Sequence, residues 1–252
     1  MATDKGGHSC RREVVQLDEP RPKSPSWNAA YDRVAGPRGR LAGRLFTDPR
    51  HTAGDLLAMT SLLARERAVA RTWTHGAPGP DITEWREGTC RHLLAVPSGD
   101  ALVSATDVTA VGFFGRLRTG IDHALLFALE RELAATFPAF VRHGFLSYFD
   151  IGPEHGRYGN LILFDAAGVP DAWHANPAHR RAAAVAPDHY RHIRLHECRI
   201  PGPFLGDGKL VLERTMYLDF VGERRWRAVR DYGGESPGQS RIHEVGAGTV
   251  GE

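Results

Sequence analysis

Apolar residues in this chain follow two rhythms, and the alternation between them lays out the elements. Between His51 and Arg71, Leu56, Leu57, Met59, Leu62, Leu63 and Val69 fall near one wide stripe with no internal proline, which predicts a helix. Asp55 sits in its first turn, where a negative charge suits the helix dipole. A second helix is predicted after Thr119-Gly120-Ile121-Asp122, a capping-box-like start. There Ile121, Leu125, Leu129 and Leu133 repeat every four residues and Phe137 and Phe140 extend the stripe; Pro138 should bend it and Gly144 stop it. The other rhythm is extended. Val108 to Leu117 is β-rich, with Gly112 and Gly115 marking a bulge or a close backbone approach. Phe145 to Asp150 and Tyr158 to Phe164 read as a hairpin. His192 to Ile200 is extended, Lys209 to Phe220 places Leu210, Leu212, Met216, Leu218 and Phe220 on one face, and Arg225 to Val229 gives the last pairing.

Punctuation fills in the rest. Arg44-Leu45-Phe46 reads as a short strand, and His75 to Pro80 breaks the chain. Ile82 to Trp85 and Thr89 to Val96 are strands, and the turn Pro97 to Asp100 leads into Ala101 to Val108 as a hairpin partner. Pro170 opens a helix holding Trp173. Asn176 caps a second start, with Pro177 at its first position and Pro187 at its end. The chain therefore divides into an extension predicted to be disordered (1–40), a helix-hairpin extension (41–100), a main domain (101–232) and a flexible tail (233–252). Within the main domain the order β, α, β, β, α, β predicts an α+β fold. It would be an antiparallel ferredoxin-like split βαβ sheet with both helices on one face. The other face would be bare, and a homodimer closing it against a second sheet is the simplest solution.

Composition narrows the function classes. Lys and Arg number 32 against 30 Asp and Glu, a balance that argues against nucleic acid as a partner. No apolar run approaches about 18 residues, so no membrane span is expected. The N-terminus has no apolar signal region. Cys10, Cys90 and Cys198 are far apart and form no C-x-x-C pair, which predicts free thiols in a reducing cytoplasm and no zinc or redox motif.

The candidate chemistry is mostly histidine. If the strand begins near residue 192, then His192, Arg194 and His196 project to one face. An interior face would make them an acid/base pair with a cation for a carboxylate or enolate, and an outer face a solvated edge. A zinc site lacks ligands at matching spacing. His179, in the first turn after Pro177, reads either as a surface or capping residue or as a cavity base or axial haem ligand. Tyr148 and Tyr158 could reach a cavity, Asn160 inside an apolar strand needs polar partners, and Arg224 to Arg230 around Trp226 reads as a solvated strand face.

The apolar strand Leu161 to Phe164, Trp173 early in a helix, the turn Asn176-Pro177-Ala178-His179 and the strand Ile193 to Ile200 resemble the second half of dimeric α+β barrel proteins of the antibiotic-biosynthesis-monooxygenase type, over residues 101–220. The resemblance implies pairing into a barrel and a monooxygenase-like oxidoreductase acting on a small apolar or aromatic molecule. His179 or His196 would be the base, Arg194 the cation, and Asn160, Trp173, His192 and Tyr148 the substrate contacts. Such enzymes work without a cofactor or with haem. Trp173, His179 and Arg194 to Glu197 also resemble haem-containing aldoxime dehydratases, which implies a histidine-ligated haem as the alternative. A non-catalytic ligand-binding dimer is the reading from another class. No glycine-rich strand-turn-helix suggests a flavin or nicotinamide.

Overall fold

The structure, a computed structural model, describes residues 39–73, 82–88, 90–154, 156–165, 170–222 and 225–232. Residues 1–38, the break at 75–80 and the tail from 233 lie outside the described residues. After two single 3-10 turns, Leu41–Gly43 and Leu45–Thr47, the elements are α1 (Pro49–Ala70), β1 (Ile82–Glu87), β2 (Cys90–Ala95), α2 (Gly99–Ser104), β3 (Thr106–Leu117), α3 (Ala124–Ala134), α4 (Phe137–Phe140), β4 (Phe145–Glu154), β5 (Arg157–Phe164), α5 (Pro170–Ala175), α6 (Pro177–His189), β6 (Tyr190–Pro203), β7 (Val211–Asp219) and β8 (Trp226–Asp231). They make an α+β fold with one antiparallel eight-stranded sheet in the order β1-β2-β4-β5-β3-β6-β7-β8. The strands of residues 41–100 join this sheet, so that stretch is its edge and not a separate appendage.

Caps decide where several helices start. Asp48 accepts from Arg50 N at 3.0 Å and Pro49 opens α1. Asn176 accepts from Ala178 N at 2.9 Å ahead of Pro177, as the sequence predicts. Asp122 accepts from Ala124 N at 2.8 Å, so α3 begins later than the predicted capping box. Ser98 does the same for Ala101 N at 3.2 Å. That cap makes residues 99–104 a helix where a strand was expected, and β2 takes β1 as its hairpin partner. The short strand expected at Arg44-Leu45-Phe46 is a 3-10 turn, because the Thr47 hydroxyl donates back to Arg44 O at 2.7 Å and accepts from Leu41 N at 2.8 Å.

Each face of the sheet has its own cover. On one side α3 and α6 pack together, and Leu126, Leu133, Ala178 and Ala186 close over Ile162, Phe164, Ile193 and Tyr190. On the other side α1 lies across the sheet, with Met59, Leu62 and Leu63 against Leu94, Ala110, Leu161 and Leu163. The face expected to close against a second subunit therefore carries the chain's own helix. Burying each of these three side chains stabilises the docking by about 2 kcal/mol, more than an ion pair there would be expected to add. The close approaches predicted at the two glycines occur on opposite faces. A Cβ at Gly112 would overlap Met59 of α1, and one at Gly115 would overlap the Tyr190 ring.

Two predicted faces are rotated. In α3 the buried residues are Leu126, Leu129 and Leu133, whereas Ile121 and Leu125 are exposed, because a strict four-residue repeat precesses around a 3.6-residue helix. In β7 the most buried side chains are Thr215, Tyr217 and Asp219, opposite to the predicted apolar face. The N-terminal turns cover that side, packing Leu41 and Phe46 on Tyr217 and Trp226.

Candidate functional site

Under α3, at the centre of the helix-covered face, two strands and one helix bring acidic and phenolic groups together. Tyr148 and Asp150 come from β4, Tyr158 and Asn160 from β5, and Glu130 hangs from α3 between Leu126 and Leu133. Asp150 and Asn160 are direct cross-strand partners, so their side chains stand side by side. The Tyr148 and Tyr158 hydroxyls are 2.7 Å apart, and both donate to Glu130 Oε1, Tyr148 from 3.1 Å and Tyr158 through a short bond. Tyr158 Oη also reaches Asp150 Oδ2 at 3.4 Å, and Asn160 Nδ2 donates to Tyr148 Oη at 3.2 Å. At the rim, Arg91 Nη1 stands 3.6 Å from Glu130 Oε2.

The electrostatics of this cluster favour a held proton. Asp150 is fully buried, and burial followed by the adjacent Glu130 pushes its carboxyl up to about 9, so it is a neutral acid at pH 7. Burial, with Glu130 and Asp150 adding to it, also raises both phenols well above their ordinary value. Three oxygens of the cluster have no hydrogen-bond partner, Glu130 Oε2, Asp150 Oδ1 and Asn160 Oδ1. The surroundings are aromatic: Phe113 meets Tyr158 edge-on at 5.9 Å and Tyr190 at 5.4 Å. A proton-bearing carboxyl beside a second carboxyl and two phenols is equipped for general acid and base chemistry.

The other polar cluster is a closed clamp between α1 and β6. Arg194 makes a bidentate pair with Asp55, at 2.5 and 2.9 Å. His196 Nε2 lies 2.9 Å from Asp55 Oδ2, and its Nδ1 lies 2.9 Å from Thr215 Oγ1. Burial works to raise the Asp55 carboxyl, but the bonds from His196 and Arg194 outweigh it and hold it below the usual value. The Thr215-His196-Asp55 order matches a nucleophile-base-carboxylate relay in outline. His196 and Thr215 are 0% exposed, however, and every polar atom of the relay is engaged. The clamp fastens α1 and offers nothing to a substrate.

The expected site residues thus separate onto two faces. Tyr148 and Asn160 stand in the acid-phenol cluster. His192, Arg194 and His196 share one face as predicted, but it is the α1 face. His192 stacks on Phe46 with ring centroids 4.6 Å apart, and burial together with Arg194 lowers its imidazole to about 4. Trp173 is a core residue, packed beside Phe137 and Phe145, which stack on each other, and edge-on to Phe164. His179 lies against Trp173 and His174, and burial lowers it to about 4.

None of these histidines suits a haem. Both nitrogens of His196 are taken, His192 is stacked, and among the described residues His179 has no carboxylate or carbonyl of the kind that orients an axial imidazole. Among the described residues no group of three His, Cys, Asp or Glu side chains could hold a metal ion. The sequence reading missed Glu130, Asp150 and Asp55 as functional groups. The available signal for Glu130 was its place three and four residues from Leu133 and Leu126, inside the true apolar stripe of α3. Comparison with protein-family profiles, with curated proteins and with solved structures finds no match for this chain.

Proposed function

We propose that this chain is an enzyme acting by proton transfer on a small, mostly apolar or aromatic molecule bound at the Glu130-Asp150-Tyr148-Tyr158 cluster. The observation that carries this reading is the neutral Asp150 beside the unfilled Asn160 Oδ1, among aromatic side chains. The Asn160 amide oxygen is an open acceptor and the protonated Asp150 a donor, so a phenolic or enolic hydroxyl, which donates and accepts, is the ligand group that fits. Glu130 accepts from both phenols and is placed to take a proton, and Asp150 is placed to return one.

The strand order β4-β5-β3-β6, with α3 and α6 packed on one face, supports a ferredoxin-like split βαβ core widened by two strands at each edge. It also supports the likeness to the monooxygenase-type α+β barrels. In the monooxygenase-like form of the reaction, the deprotonated substrate would itself reduce dioxygen. With α1 over the opposite face, one chain holds the whole cluster, and the proposal places the working site within a single subunit.

The test is solvent-deuterium exchange and oxygen uptake across a panel of phenols and 1,3-dicarbonyl compounds. The wild type should process at least one of them. Asp150→Asn and Glu130→Gln, checked for folding by circular dichroism, should lower the rate by about 10²- to 10⁴-fold, the usual share of general acid-base catalysis. Folded variants as active as the wild type would remove the cluster from the mechanism.

A further inference from the structure

The sheet ends at β1, and among the described residues that edge is open. No backbone bond there reaches its outer side, and five of its six residues are exposed, with Trp85 half-buried. At the other end, β8 has three of its six residues buried, Trp226 among them under the 3-10 turns. The ladder of β1 with β2 runs from Ile82 to Glu87 in regular register, and the strand has no proline or lysine. Bulges, prolines and lysines are the usual devices that stop an edge from taking on another strand.

The charges along β1 select the strand it would take. Glu84 and Arg86 stand two residues apart and so share one face. Within the chain Arg86 lies directly opposite Arg91, and like charges so placed destabilise a ladder. Arg91 is itself engaged, giving Nε and Nη2 to Glu84, and among the described residues Arg86 forms no ion pair. We propose that β1 is a homodimerisation edge, and that two copies pair β1 with β1, antiparallel about Trp85, into one continuous sheet. That register sets Arg86 against the partner's Glu84, and the two-fold axis repeats the pair. On the other face Trp85, stacked on His92 and tilted against Phe149, meets its own copy at the axis. Centring the pairing on Glu84 or on Arg86 would instead set that charge against itself. The interface leaves α1 and the acid-phenol cluster within each subunit and is independent of the proposed reaction.

The experiment is sedimentation velocity on the full chain from about 1 μM to about 1 mM, the range in which a small interface assembles. The wild type should pass from monomer to dimer within it. Arg86→Glu makes both charge pairs repulsive and should weaken the dimer about tenfold or more. Adding Glu84→Arg to that variant exchanges the two signs, restores both pairs and should bring the dimer back. Hydrogen exchange on the wild type gives a reading that no substitution can disturb: the amides of residues 82–87 should exchange more slowly as concentration rises. A monomer throughout the range overturns the proposal. So does a dimer as tight after Arg86→Glu, a folded double variant that stays monomeric, or exchange at 82–87 that is indifferent to concentration.

Discussion

The two faces of the sheet contain nearly the same chemical groups and put them to opposite uses. On the α1 face, one carboxylate (Asp55) is matched by a bidentate arginine and a histidine, and its polar atoms are all engaged. On the α3 face, two carboxyls crowd two phenols and an amide, one carboxyl keeps its proton, and acceptors are left open. Acid groups balanced by cations make a fastener. Acid groups that outnumber their one nearby cation, Arg91, and lean on one another and on neutral donors hold a proton in place, which is what proton-transfer chemistry requires. The sequence offered its histidines as candidate chemistry, and the best placed of them, His196, is spent on holding a helix.

The largest effect should come from breaking the fastener. Asp55→Ala leaves Arg194 and His196 buried without their carboxylate and should cost about 3–5 kcal/mol in urea unfolding. Because the folded state holds the Asp55 carboxyl low, its contribution is present above the ordinary carboxyl pKa near 3.9 and fades as pH falls through the lowered value; the variant should lack that acid-side loss. A wild-type protein indifferent to this change would mean that the apolar contacts of α1 suffice alone.

Next come the buried acids whose carboxyls are raised. Glu66 of α1 is fully buried, and burial lifts it to about 7 against the downward pull of a hydrogen bond from Ser147 and the charge of Arg67. For such a group the unfolded chain ionises first, so stability is fully present below about 4.5 and falls as pH rises to about 7, by up to about 3 kcal/mol. Asp150 continues the same downward slope to about 9. Glu66→Gln should flatten the lower part of the profile, and Asp150→Asn the upper. A stability curve level from pH 5 to pH 9 (the span in which both titrate by linkage) would refute both assignments.

The smallest effect sharpens the comparison of packing. Gly112→Ala pushes against Met59, a flexible side chain that can swing aside, whereas Gly115→Ala pushes against the Tyr190 ring. Overpacking a rigid neighbour should cost about 1–3 kcal/mol and a yielding one less, so Gly115→Ala should melt at the lower temperature. The reverse order would show the α1 face to be the tighter of the two.

Much of the fold is legible in the sequence where a local signal has no rival. α1, the β4-β5 hairpin, the Asn176-Pro177 start of α6 and the run β3-α3-β4-β5-α6-β6 follow from periodicity and caps. Residues 99–104 do not, because a three-residue apolar run such as Ala101-Leu102-Val103 suits strand and helix equally and only the Ser98 cap decides. The candidate site is half legible. Asn160 and Tyr148 stand out as polar groups in apolar strands. Glu130 does not, since a glutamate on a helix is ordinary until the helix turns it inward.

The sequence by itself determines which segments are helices and strands, the α+β class and the residue types available for chemistry, because propensity, capping and periodicity act over a few residues. Which face each side chain serves is decided only in the tertiary structure. α1 returns from the N-terminal side to cover the bare face, and α3 is rotated by its own pitch so that Glu130 points in. Asp55 meets Arg194 across 139 positions of chain, and Glu130 meets Tyr158 across 28. Pairings at such separations leave no local pattern, and they alone separate the acid that fastens from the acid that holds a proton.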